Sequence, residues 1–170
     1  GSYMTCGDKT SEFKGTATLD DGKLIVKDGA VLKAGNLVVA ESASAESTPT
    51  LELSSATLSA DTLSFAKDTA LILNNVDNST DAMISVSTSL TMSDSVVLGL
   101  SSSYTGDTLK IAVADYTGSA ASWLTLQATT SFTADSLLWK VSNLAWKEES
   151  GTLYVTGTTQ KKEVLDISNN

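Results

Sequence analysis

Lys23-Leu-Ile-Val-Lys-Asp-Gly-Ala-Val-Leu-Lys33 sets two short apolar runs on either side of an Asp-Gly pair. Leu24 and Val26 are two residues apart, the spacing that puts side chains on one face of a strand. Asp28-Gly29 is turn chemistry, because glycine takes positive φ at little cost. Ala30, Val31 and Leu32 then open a second run. The arrangement returns at Leu63-Ser-Phe65-Ala-Lys-Asp68-Thr-Ala70-Leu71 and at Leu90-Thr-Met92-Ser-Asp94-Ser-Val96-Val97. Each copy is an apolar-x-apolar pair, an Asp turn and another apolar run.

Outward from this stretch the texture is the same. Thr16–Leu19 predicts a strand that turns at Asp20-Asp21-Gly22. Leu37–Val39 predicts another after a turn at Gly35-Asn36. Glu41–Thr50 is a polar excursion broken by Pro49, the only proline. Period two resumes at Leu51-Glu-Leu53, Leu63-Ser-Phe65 and Leu71–Leu73. Asn74–Asp81 is a second excursion, and Tyr104–Asp107 reads as a further turn region. Longer strands follow at Leu109–Val113, Trp123–Leu126, Leu138–Val141 and Leu144–Lys147. Glu148-Glu-Ser-Gly151 leads into Thr152–Val155 as a β-hairpin. Val164, Leu165 and Ile167 suit a last edge strand.

No segment carries a sustained 3.6-residue apolar stripe. The expected fold is therefore all-β: a β-solenoid, parallel β-helix-like, of short strands, with roughly 20–27 residues per coil. A β-sandwich or jelly roll is the alternative. Residues 1–14 are expected to be a flexible lead-in, and Gly1-Ser-Tyr-Met4 resembles a cloning scar. Residues 15–159 form a single domain on this reading, with a tryptophan-containing C-terminal β cap over about 109–159 and a tail at 160–170. Leu24, Val26, Leu63, Phe65, Leu90 and Met92 are candidates for one inward stack.

Composition narrows the chemistry. The 170 residues carry 20 acidic and 11 basic side chains, a net charge of −9. Every basic residue is lysine; there is no arginine and no histidine. A net-negative chain without arginine is a poor reader of phosphate backbones or base edges, so nucleic acid is not an expected partner. Without histidine there is no Ser-His-Asp or Cys-His catalysis and no usual zinc site. Carboxylates, lysines, tyrosines, one thiol and many hydroxyls remain, with 25 serines and 23 threonines among them. Cys6 is the only cysteine, so no internal disulfide can form. Cys6-Gly7-Asp8 also looks like the start of a mature lipoprotein. No apolar run approaches the length of a membrane span.

Four constellations bear on function. Asp77-x-Ser79-x-Asp81 has the alternate-oxygen spacing that opens a calcium loop, but Ala82 stands where glycine is needed and Thr88 where a bidentate glutamate belongs. Asp115-Tyr-Thr117-Gly118-Ser119 approaches the Asp-Thr-Gly of aspartic proteases, with a tyrosine intervening; a homodimer could supply the second aspartate. Asp20-Asp21 would point to opposite faces of a strand, unlike a glycosidase pair. Trp123, Trp139, Trp146 and Tyr154 could stack on the apolar faces of sugars, or form the core of the cap. No cofactor is expected.

The runs Gly22-Lys-Leu-Ile-Val-Lys-Asp-Gly-Ala-Val-Leu32 and Ala34-Gly-Asn-Leu-Val-Val39 resemble passenger-type repeats of bacterial autotransporter-like secreted and surface proteins. Leu138-Trp-Lys-Val-Ser-Asn-Leu144, followed by Ser150-Gly-Thr-Leu-Tyr-Val155, resembles the stretch that closes such repeats. The resemblance implies a secreted or cell-surface bacterial solenoid and carries no common catalytic residues; with the scar-like start at Gly1–Met4, a native signal peptide is expected to have been removed. The expected function is an adhesion or interaction module that binds a host glycoprotein or polysaccharide. The alternatives are a carboxylate-dependent, aspartic-type hydrolase or protease acting on mucin-like glycoproteins through Asp115, and a structural spacer in a larger surface protein.

Overall fold

A computed structural model describes residues 3–7, 9–101, 108–126, 131–135 and 139–163. Among these residues all regular structure is β, with no helix, as the period-two pattern predicts. One sheet contains β1 (Tyr3–Gly7), β3 (Lys23–Lys27), β5 (Thr50–Ser54), β7 (Ala70–Asn74), β9 (Val97–Ser101) and β12 (Ser131–Asp135), in that spatial order and parallel throughout. The second runs β2 (Thr10–Leu19), β4 (Val31–Val39), β6 (Thr57–Phe65), β8 (Ile84–Met92), β10 (Thr108–Tyr116), β14 (Thr152–Lys161) and β13 (Trp139–Glu149). The short β11 (Leu124–Leu126) lies beside the second half of β8. Neither sheet closes into a barrel.

From β3 to β10 the chain alternates between the sheets, so each strand up to β8 pairs with the one two places further on. The register stacks like on like. Leu24, Leu51, Leu71 and Leu98 are aligned in the first sheet, as are Val26, Leu53, Leu73 and Leu100. Leu37, Leu63 and Leu90 are aligned in the second, and so are Val39, Phe65 and Met92. All are buried. Each such side chain contributes about 1.5–3 kcal/mol on leaving water. The six residues expected in one stack are therefore all core, but they divide between two sheets: Leu24 and Val26 belong to the first, Leu63, Phe65, Leu90 and Met92 to the second.

Turns repeat with the strands. Asp28, Ser55 and Asn75 follow β3, β5 and β7 at equivalent positions, with φ of 57°, 49° and 58°. Asp and Asn tolerate this left-handed region better than most side chains. Gly35-Asn36, expected to be a turn, instead lies inside the continuous strand β4, where the buried positions change phase, from Leu32 before it to Leu37 and Val39 after it; this phase change is the bend of the sheet. The same bend interrupts the register between Phe13 and Thr16 of β2 and between Ala60 and Thr62 of β6. Gly35 is required there, because a Cβ would sit 2.8 Å from the Gly15 carbonyl oxygen.

The lead-in expected over residues 1–14 contains strands: β1 pairs with β3, and β2 begins at Thr10 against Val31. Its polar sequence hides them because each is an edge strand. At the other end, β13 and β14 form the antiparallel hairpin, turning at Ser150 and Gly151 with φ of 50° and 84°. Strand β14 also runs antiparallel to β10. The turn expected at Tyr104–Asp107 and the edge strand at Val164, Leu165 and Ile167 lie outside the described residues.

Candidate functional site

The inward leucines fix what faces outward. Beyond the bend of the second sheet, Thr16, Asn36, Thr62 and Ser89 are aligned on β2, β4, β6 and β8. Two residues further on, Thr18, Val38, Ser64, Thr91 and Thr125 form a parallel row. Neighbouring strands are about 4.8 Å apart, so each row presents a side chain at that interval. Asn36 ties the first row together: its Nδ2 donates to Thr16 Oγ1 at 3.3 Å, and its Oδ1 accepts from Thr62 Oγ1 at 2.7 Å.

Before the bend, Glu12, Lys33, Ser59, Ser85, Asp115 and Thr152 make a row across six strands. A groove of about 330 Å³ follows the bend, lined by Glu12, Lys14, Lys33, Ser59, Asp61 and Ser87 among others. Ser87 Oγ donates to Asp61 Oδ1 at 2.8 Å, which holds that carboxylate on the groove wall. The flank thus offers hydroxyls, one amide and charges of both signs. Sequence reasoning misses the first row. Its signal lies in an alignment of the repeats on Leu37, Leu63 and Leu90, since Asn36, Thr62 and Ser89 each come immediately before.

The sequence-predicted residues scatter around this flank. Asp115 lies in the row before the bend, half-buried, and its Oδ1 accepts from Thr152 Oγ1 at 2.7 Å. Thr117, from the same motif, reaches the end of the groove, where its Oγ1 donates to the Val86 carbonyl at 3.3 Å. The four aromatic residues do not make one platform. Trp123 is buried and stacked on Tyr116. Trp146 packs inward against the core, with Phe132 tilted across it at 5.2 Å, and its indole Nε1 is buried without a hydrogen-bond partner among the described residues. Trp139 also packs against the core. Tyr154 is opposite Lys147, one position out of phase with the Trp146–Val155 pair, and so faces the other side of the hairpin. There Lys110 Nζ lies 4.4 Å from its ring centroid and reaches Glu149 at 2.5 Å. That contact holds the Glu149 carboxyl below its ordinary range and raises Lys110.

Asp77, Ser79 and Asp81 occupy an exposed loop. Asp77 Oδ1 accepts from the Ser79 amide at 2.9 Å, Ser79 Oγ at 2.7 Å and Thr80 Oγ1 at 3.0 Å. These bonds, the Ser79 hydroxyl first, hold the Asp77 carboxyl below the usual aspartate value. The loop is thus closed on itself as an Asx turn, with Asp81 outside that set of bonds. Among the described residues no group of three or more acidic or thiol side chains is arranged to hold a metal ion, and no helix is long and apolar enough to cross a membrane.

No family model, no curated protein and no solved structure matches the chain.

Proposed function

We propose that the chain is a β-solenoid interaction module of a secreted or surface-displayed bacterial protein, and that its bent flank binds an extended glycan of a glycoprotein or polysaccharide. The alternation of the chain between two sheets whose strands are mostly parallel supports the solenoid reading, as does the resemblance of its repeats to autotransporter-like passengers. The observation that carries the binding reading is the aligned row Thr16, Asn36, Thr62 and Ser89 beside a groove of mixed charge. Sugar hydroxyls both donate and accept. Serine and threonine hydroxyls and the asparagine amide do the same, so a repeating polar row on a rigid sheet can meet a repeating polar chain without large reorganisation.

Titration calorimetry with mucin-derived O-glycans tests this. Asn36→Leu and Thr62→Val each remove polar atoms from the row while leaving Leu37 and Leu63 in the core. Each is expected to weaken binding about tenfold with little change in the melting temperature, because unpaired polar groups on the glycan lose their partners. Unchanged affinity in both variants would remove the row from the binding surface.

A further inference from the structure

Among the described residues, strands β1 and β2 leave the same end of both sheets open, since each is the terminal strand of its sheet. Met4 and Phe13 are the two large hydrophobic side chains left exposed among the described residues, at 51% and 39%. Both lie at this end, around an apolar cleft of about 440 Å³ that reaches Leu24, Leu32 and Leu37. An open strand edge beside apolar surface is a template for another strand.

The sequence of β2 selects which strand. The Val31 amide donates to the Lys9 carbonyl at 2.9 Å, so the Lys9 peptide faces β4. By alternation, the peptide groups of Thr10 and Glu12 face the open edge. In an antiparallel pairing of β2 with its own copy, centred on Phe13, residue 12 of one chain is opposite residue 14 of the other. Glu12 then faces Lys14 twice, once on each side of the two-fold axis, and Phe13 faces Phe13. Opposite charges in directly facing positions favour a pairing, and like charges oppose it. An in-register parallel pairing would set Glu12 against Glu12 and Lys14 against Lys14. The edge is therefore self-complementary in the antiparallel sense, which is what an isologous two-fold interface requires. A single axis through both sheets would also bring β1 against its copy and cover Met4.

We propose that a second copy of this chain docks on the open end, antiparallel along β2, joined by reciprocal Glu12–Lys14 pairs and by Phe13 over the apolar cleft. This interface does not depend on the glycan reading.

Analytical ultracentrifugation of the 170-residue chain tests it, with Glu12→Lys and Lys14→Glu made separately and together. The expected results are a dimer for the unaltered chain and a shift toward monomer, by about tenfold in dissociation constant, for each single variant, where like charges now meet. Mixing the two single variants should restore a dimer. The lysine introduced in one chain then faces the glutamate introduced in the other, and the unaltered Lys14 and Glu12 face each other across the axis. The doubly exchanged chain should also dimerise. A monomer at all concentrations would overturn the proposal. So would single variants that dimerise unchanged, or a mixture that stays monomeric while circular dichroism shows both chains folded.

Discussion

The indole of Trp123 lies face to face with the phenol ring of Tyr116, with centroids 5.1 Å apart and planes 5° apart. Trp123 is 6% exposed, and its carbonyl accepts from the Leu90 amide at 2.8 Å. The pair joins the end of β10 to the start of β11 and seals that part of the core. Trp123→Ala is expected to cost about 3–5 kcal/mol, the usual range for emptying a buried aromatic site. Urea unfolding measures it, and Trp123→Phe should recover part of the loss.

Gly118 sits against the Tyr116 ring of the same pair. A Cβ at this position would run into the Ser87 carbonyl oxygen and lie 2.6 Å from the Tyr116 hydroxyl. That hydroxyl also accepts from the Ala120 amide. Gly118→Ala must displace either the strand or the ring and should cost about 1–3 kcal/mol. The near-ultraviolet dichroism of the Tyr116–Trp123 pair should change with it. An unchanged spectrum and stability would place the Gly118 loop elsewhere.

Asp77 gives a pH signature. Its folded-state carboxyl is held below the ordinary aspartate value by Ser79 and Thr80. The loop's contribution to stability is therefore fully present above about pH 4, the value for an unperturbed aspartate, and is lost as pH falls through the lower folded value. Carboxyl-resolved NMR titration should give Asp77 a lower midpoint than a reference peptide. Asp77→Ala should abolish the protection of the Ser79 amide from exchange.

Asp115 is expected to act as a strand-to-strand tie. Asp115→Ala removes the acceptor for Thr152 and should lower stability by about 1 kcal/mol. Asp115→Asn keeps an oxygen in place and should lower it less. Under an aspartic-type hydrolase reading the order would matter differently: cleavage of mucin or casein would be present in the unaltered chain and abolished equally by both variants.

Much of the fold is legible in the residues. Leu24, Val26, Leu51, Leu53, Leu71 and Leu73 carry the strand period in their spacing, and Asp28-Gly29 and Ser150-Gly151 carry the turns in their chemistry. The division between sheets is not legible, because an apolar-x-apolar pair looks the same whichever sheet receives it. Gly35-Asn36 reads as a turn because glycine beside asparagine usually makes one; here close approach to Gly15 requires the glycine and the strand continues. Strand β1 and the first half of β2, before the predicted Thr16–Leu19, escape notice because an edge strand carries little inward alternation. Among site residues, Trp146 and Tyr154 look like partners in sequence, but the register of β13 and β14 turns them to opposite faces.

The most direct measurement is retention of the protein on immobilised mucin before and after enzymatic removal of its O-glycans. A glycan-binding flank predicts retention on intact mucin, loss on the deglycosylated surface, and loss on intact mucin for Asn36→Leu. Equal retention on both surfaces, or none on either, would contradict it.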